Sequence, residues 1–132
     1  MKITLKSDGA LDLFTGENDS GHKVQLGTNG KATGPMQAVL MAAAGCSTID
    51  IVMILEKMKQ DLKHIEVEVE GKRREEIPRT YTDIHLHYKL YGNIKDKKAE
   101  QAVNSSLEKY CSVSLMLEKV AKITSSFEII ES

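Results

Sequence analysis

At 132 residues the chain is long enough for one domain and too short for two ordinary ones. Its 18 basic and 19 acidic residues nearly cancel, which argues against a polyphosphate partner or an electrostatic membrane anchor. A hydrophobic content of 41% with 28% charged residues belongs to a folded globular protein. Two cysteines cannot staple a secreted mini-domain, and the opening MKITLKSDGALDLF has no continuous apolar run fit for a leader. The expectation is a cytoplasmic protein with neither nucleic acid nor membrane as partner.

Residues 1–30 read as three short strands, Lys2–Lys6, Ala10–Phe14 and His22–Leu26, with turn chemistry in Ser7-Asp8-Gly9 and from Gly16 to Gly21. A glycine-rich connection leads to Pro35, a residue favoured at the first position of a helix because its missing N–H would be unpaired there. The helix is expected over residues 35–60. Its stretch from Ala38 to Leu55 is apolar on every face and has the length of a membrane span. Asp50 in its interior, the weakly hydrophobic Ala42-Ala43-Ala44-Gly45 and the Ser47-Thr48 pair speak against spanning, since a carboxylate at mid-membrane costs roughly 2.5 kcal/mol or more. A central helix packed on all sides is expected instead.

Residues 64–91 form an expected strand pair. Ile65, Val67 and Val69 alternate with Glu66, Glu68 and Glu70, and Ile84, Leu86, Tyr88 and Leu90 alternate with Asp83, His85, His87 and Lys89. Residues 96–121 carry helices, the first amphipathic through Ala99, Val103 or Ala102, and Leu107, with a break at Cys111-Ser112. A final strand is expected over residues 123–131. The order βββ-α-ββ-αα-β within a single domain, 1–132, is an α+β plan because strands and helices are segregated.

Cys46 in the central helix and Cys111 at the start of the last helix are the nucleophile candidates. No Cys-x-x-Cys is present, so neither a thioredoxin-type motif nor a zinc knuckle is expected, and no metal ligand set is assigned from the sequence. Free cysteines are usually small buried hydrophobes, and that reading stands beside the reactive one. Asp50, at i+4 from Cys46, would raise the thiol pKa if ionised and close. Cys111 sits near a helix N-terminus, where the dipole favours thiolate, and on electrostatics alone is the easier thiol to ionise.

The run Pro35-Met36-Gln37-Ala38-Val39-Leu40-Met41-Ala42-Ala43-Ala44-Gly45-Cys46, leading on to Asp50, resembles the central-helix motif of the OsmC/Ohr proteins. Tyr110-Cys111-Ser112-Val113-Ser114 resembles the second cysteine motif of that family, and the element order fits over nearly the whole chain. The resemblance implies an OsmC-like fold, an intertwined homodimer and thiol-dependent reduction of organic hydroperoxides. Cys46 would attack the peroxide and become a sulfenic acid, and Cys111 would resolve it as a disulfide. An external dithiol reductant, possibly a lipoylated protein, would reset the pair with no bound cofactor.

The resemblance implies an arginine from an N-terminal strand loop beside the first cysteine and a glutamate just after the proline that opens the central helix. This chain has no arginine before Arg73, and Gln37 stands in the glutamate region. Arg79, or alternatively His22 or Lys23, is the candidate substitute cation, with Gln37 and Asp50 as further supporting residues. A non-catalytic binder of small apolar ligands and a thiol redox sensor are the alternatives on the same fold. His85 and His87 share a strand face but lack a third clear ligand, so a wet sheet face is the expectation there.

Overall fold

The computed structural model describes residues 1–131. The opening residues pair as an antiparallel meander of β1 (Thr4–Lys6), β2 (Leu13–Glu17) and β3 (Lys23–Gly27). The second strand lies three residues later than its sequence pattern suggests. The reason is local: Asn18 Oδ1 accepts hydrogen bonds from the backbone N–H groups of Ser20 and His22, both at 2.9 Å, and Gly21 takes φ 85°. This Asx-type turn tightens the reversal to Asn18–Gly21 and leaves Thr15–Glu17 free to pair.

Helix α1 (Pro35–Lys57) opens at the proline, as expected. Gln37 Oε1 accepts the Gly34 N–H at 2.9 Å, the backward half of a capping box. At the other end Lys59 adopts φ 57° and the Gln60 N–H reaches back to the Leu55 carbonyl at 2.9 Å. That Schellman-type closure ends the helix at Lys57, short of residue 60.

The chain divides into two compact units, Met1–Val39 and the residues from Leu40 onward, and α1 begins in the first and continues into the second. In the second unit β4 (Asp61–Arg73) pairs antiparallel with β5 (Tyr81–Asn93), which pairs parallel with β6 (Lys122–Ile130). The charged Glu66/Glu68/Glu70 face is exposed, while Ile84, Leu86, Tyr88 and Leu90 of the central strand are wholly buried. Alternation in the sequence thus translates directly into sidedness. Gly92, at φ 142°, closes the pair: a Cβ there would collide with the Asp61 carbonyl oxygen, so only glycine lets the two strands meet.

The crossover from β5 to β6 holds α2 (Asp96–Ser105), a π-helical turn (Ser106–Tyr110) and α3 (Ser112–Leu117). The expected continuous helix to Tyr110 is therefore α-helical only to Ser105, and α3 ends before Ala121. Ala99, Ala102 and Val103 bury the α2 stripe.

Within the single chain α1 is not packed on all sides. Its buried residues are Ala43, Ser47, Ile51 and Leu55, one stripe at i, i+4 spacing. Met41, Ile49 and Met53, on the opposite face, stand 60%, 63% and 51% exposed. The helix is apolar all round, as its composition dictates, but one chain covers only one side.

Candidate functional site

Three elements of the second unit converge. Successive turns of α1 place Ser47 on the buried stripe and Cys46 and Asp50 beside it, both half-buried. Cys111 is the N-cap of α3 and wholly buried. Tyr88 comes from the middle of β5. The Sγ atoms of Cys46 and Cys111 and a carboxylate oxygen of Asp50 all lie within 4.8 Å of one another. Two thiols far apart in the chain are neighbours in the fold.

The surroundings of Cys111 are set by the π-helical turn. Its N–H bonds to the Ser106 carbonyl at 2.6 Å, five residues back, which delivers Cys111 to the start of α3. There the sulfur accepts the Ser114 N–H at 3.4 Å, lies 3.1 Å from Ser114 Oγ and 3.9 Å from the Ala43 carbonyl. Burial nevertheless pushes the Cys111 thiol above its ordinary pKa, outweighing the Ser114 donors. This corrects the expectation from the helix terminus alone: in a six-residue helix the dipole and cap do not offset desolvation. Cys46 is the half-buried cysteine and Cys111 the enclosed one.

A polar network supports the pair from behind. The Tyr88 hydroxyl donates to Ser47 Oγ at 2.7 Å, and Ser47 Oγ donates to the Ala44 carbonyl at 3.1 Å. The Ser106 hydroxyl lies 3.2 Å from Asp50 Oδ2 and 3.3 Å from the Ser47 carbonyl. Asp50 therefore takes its donor from Ser106, whereas the buried tyrosine is satisfied by Ser47. Ser47, Tyr88, Ser106 and Ser114 were not singled out from the sequence. Only Ser114 carries a local signal, the three-residue spacing from an N-cap at Cys111.

Burial pushes the Tyr88 phenol up to about 12, from an ordinary 10.0, with the Ser47 hydrogen bond opposing. A phenol with a raised folded pKa holds its proton more tightly in the native state. That contribution is complete below pH 10.0 and is lost as pH rises through about 12. Two pKa units correspond to roughly 2–3 kcal/mol. Urea unfolding between pH 9 and 12 is expected to show the alkaline loss of stability, and the slope is expected to flatten in Tyr88→Phe. An unchanged slope in the variant would assign the loss to other groups.

The supporting residues proposed from sequence fare differently. Asp50 is at the thiols. Gln37 spends its side-chain oxygen on the Gly34 N–H in the first unit. Arg79 lies in the loop between β4 and β5, where its Nε donates to the Arg74 carbonyl at 3.1 Å and its own carbonyl accepts from Arg73 Nε at 2.7 Å. The loop closes on itself through these backbone contacts. His85 and His87 are tied to β6, sharing Ser126 Oγ at 2.9 and 2.6 Å, with His87 Nε2 2.7 Å from Glu128. They form the polar sheet face expected of them.

Bordering Asp50 is a cavity of about 410 Å³ lined by Asp50, Met53, Ile54, Lys57, Met58 and Tyr110, with neither cysteine among its lining residues. Its walls are apolar except for Asp50 and Lys57, and it runs along the α1 face that carries Asp50 and Ile54.

A family model described as OsmC-like protein matches residues 27–126. The chain belongs to the OsmC-like family. Protein YhfA of Escherichia coli K12 is 50% identical over 120 residues, which span 89% of this chain and 90% of YhfA. A hypothetical protein from Aquifex aeolicus VF5 superposes with a TM-score of 0.90 at 31% identity, covering 99% of this chain and 96% of that one. An organic hydroperoxide resistance protein OsmC from Legionella pneumophila shares the fold at a TM-score of 0.74 and 20% identity, with 97% of each chain covered. The α+β OsmC-like fold expected from the motifs around Cys46 and Cys111 is therefore the fold of this family.

Proposed function

We propose that this OsmC-like chain is a thiol-dependent reductase of small apolar organic hydroperoxides, acting as a homodimer in the cytoplasm. The observation that carries the reading is the approach of the Cys46 and Cys111 sulfurs, with Asp50, within 4.8 Å. Cys46, the half-buried cysteine, attacks the terminal peroxide oxygen as thiolate. The O–O bond breaks, the alkoxide takes a proton and leaves as alcohol, and Cys46 becomes a sulfenic acid. Cys111 then attacks the Cys46 sulfur, the S–O bond breaks, and hydroxide leaves with the Cys111 proton as water. Asp50 is the carboxylate placed to carry these protons. An external dithiol, such as a lipoylated protein, reduces the disulfide by exchange.

Several features support this reading. The half-buried Cys46 and enclosed Cys111 suit an attacking and a resolving thiol. A disulfide needs the sulfurs at about 2.05 Å, so the pair must close further. The π-helical turn that ends at Cys111 is a local irregularity of the kind found at functional sites. The cavity walls of Met53, Ile54, Met58 and Tyr110 suit the organic part of the peroxide.

In stopped flow, the reduced protein is expected to consume one cumene hydroperoxide per chain with loss of two thiols, and to turn over only when dihydrolipoamide is added. Hydroperoxide loss no faster than in buffer would overturn the reading. The same result with tight displacement of a fluorescent apolar probe would favour the binding-protein alternative, for which the cavity is the supporting feature.

The dimer rests on the bare face of α1. Met41, Ile49, Val52 and Met53 are exposed large apolar residues on a helix whose opposite face is already packed. Gly45 lies between them with open space where a Cβ would project. A second copy of the chain would cover this stripe. Sedimentation at micromolar concentration is expected to show a dimer for the wild type and a monomer for Ile49→Lys. A monomeric wild type would remove the dimer from the proposal.

A further inference from the structure

We propose that the reduced Cys46–Asp50–Cys111 cluster is a binding site for a thiophilic divalent cation, zinc being the physiological candidate. The inference does not depend on peroxide turnover.

The donor set comes first. Two cysteine sulfurs and a carboxylate oxygen, mutually within 4.8 Å, are three ligands from a half-buried α1 face and a buried helix cap. Zinc is tetrahedral, with Zn–S near ~2.3 Å and Zn–O near ~2.0–2.2 Å, which sets ligand atoms about 3.5–3.8 Å apart. The 4.8 Å bound on this cluster exceeds that spacing by about an ångström, so the donors must draw together when the ion binds. Two thiolates with one carboxylate favour a borderline-soft ion over the oxygen-seeking magnesium and calcium.

Outer-shell support is in place as well. The Ser114 N–H and hydroxyl stand at 3.4 and 3.1 Å from Cys111 Sγ, where they stabilise a metal-bound thiolate. The Ser106 hydroxyl lies 3.2 Å from Asp50 Oδ2, a contact that orients the carboxylate. The cavity reaches Asp50, so a water can occupy a fourth position. Among the described residues Asp50 takes part in no ion pair, so no side-chain cation already occupies this role.

Binding replaces two S–H protons with one metal ion and releases both protons to solvent. Disulfide formation removes both sulfur ligands. The site therefore reports the redox state: the reduced pair holds the ion, which shields the thiols, and oxidation discharges it.

The reduced full-length protein is titrated with zinc against a chromophoric chelator, and with cobalt(II) as a spectroscopic probe. One ion per chain is expected, with thiolate-to-cobalt charge-transfer bands, tetrahedral d–d bands and slower alkylation of both cysteines by iodoacetamide. Diamide-oxidised wild-type protein is expected to bind none, and Asp50→Asn is expected to lose at least about tenfold in affinity. Absence of the cobalt–thiolate spectrum in reduced wild-type protein, which requires no variant, overturns the proposal. So does equal zinc retention by the oxidised protein, because the ion would then sit elsewhere. Zinc binding without peroxide turnover leaves the site standing and removes only the peroxidase reading.

Discussion

Cys46→Ser is expected to abolish hydroperoxide consumption, lowering the rate by at least about two orders of magnitude, while Cys111→Ser completes a single turnover and stops. The asymmetry follows from the site. The nucleophile must meet a peroxide arriving from solvent, and Cys46 is the half-buried sulfur whereas Cys111 is wholly enclosed. Hydroxyl oxygen in place of Cys46 sulfur is far less nucleophilic at neutral pH and forms no sulfenic acid. In Cys111→Ser the first step survives and the sulfenic acid on Cys46 persists, because nothing within reach can displace its oxygen. Mass spectrometry after one equivalent of cumene hydroperoxide checks this directly. The wild type is expected to lose two hydrogens, Cys111→Ser to gain one oxygen that dimedone captures, and Cys46→Ser to remain unchanged. Oxidation centred on Cys111 in the Cys46→Ser variant would reverse the two roles. Cys111 is also the N-cap of α3, so the serine, itself a good cap, keeps the helix start intact.

Ile51→Ala is expected to be among the most destabilising single changes on α1, at about 2–5 kcal/mol. Ile51 is wholly buried on the same stripe as Ser47, whose hydroxyl is pinned by Tyr88 from the central strand β5. Truncation there loses the transfer free energy of the buried methyl groups and leaves a cavity that relaxes only in part. Against a total stability of typically 5–15 kcal/mol the loss is a large fraction. Urea unfolding at fixed protein concentration measures it, since a dimer makes the midpoint concentration-dependent. Ile49→Ala, two residues away on the bare face, is the control. Within one chain that side chain is 63% exposed, so any destabilisation it causes should appear as weaker association and vary with concentration. A change under about 1 kcal/mol for Ile51→Ala would mean that this position on the α1 stripe collapses around the smaller side chain.

Which of these elements could be read in advance follows from whether their cause is local. The sides of β4 and β5 were legible because residues two apart share a face, and Ile84, Leu86, Tyr88 and Leu90 are buried as that period requires. Pro35 marked the helix start for an equally local reason. Lys59 in a left-handed conformation and the π-helical turn at Ser106–Tyr110 were not legible, because neither residue type demands such a backbone and packing selects it. The same distinction governs the site. Cys46 and Cys111 were identifiable as chemistry-bearing residues, and the family motifs around them carried the expectation of a pair. The dipole argument for Cys111 failed because it counts a helix end and omits desolvation, which depends on what the fold stacks over the sulfur. The absence of an arginine before Arg73 makes Arg79 a candidate cation, but its Nε donates to the Arg74 carbonyl within its own loop.

By itself the amino-acid order determined the α+β class, the faces of the long strands, an apolar helix and two thiols within recognisable motifs. Tertiary structure alone decided that those thiols and Asp50 share a space under 4.8 Å across, that Ser106 and Ser114 serve them, and that one face of α1 is left bare. The physical reason is range. Periodicity, capping and turn preference act over a few residues and are printed in the chain, whereas burial and the meeting of donors from α1 and the α2–α3 crossover depend on how the whole unit folds.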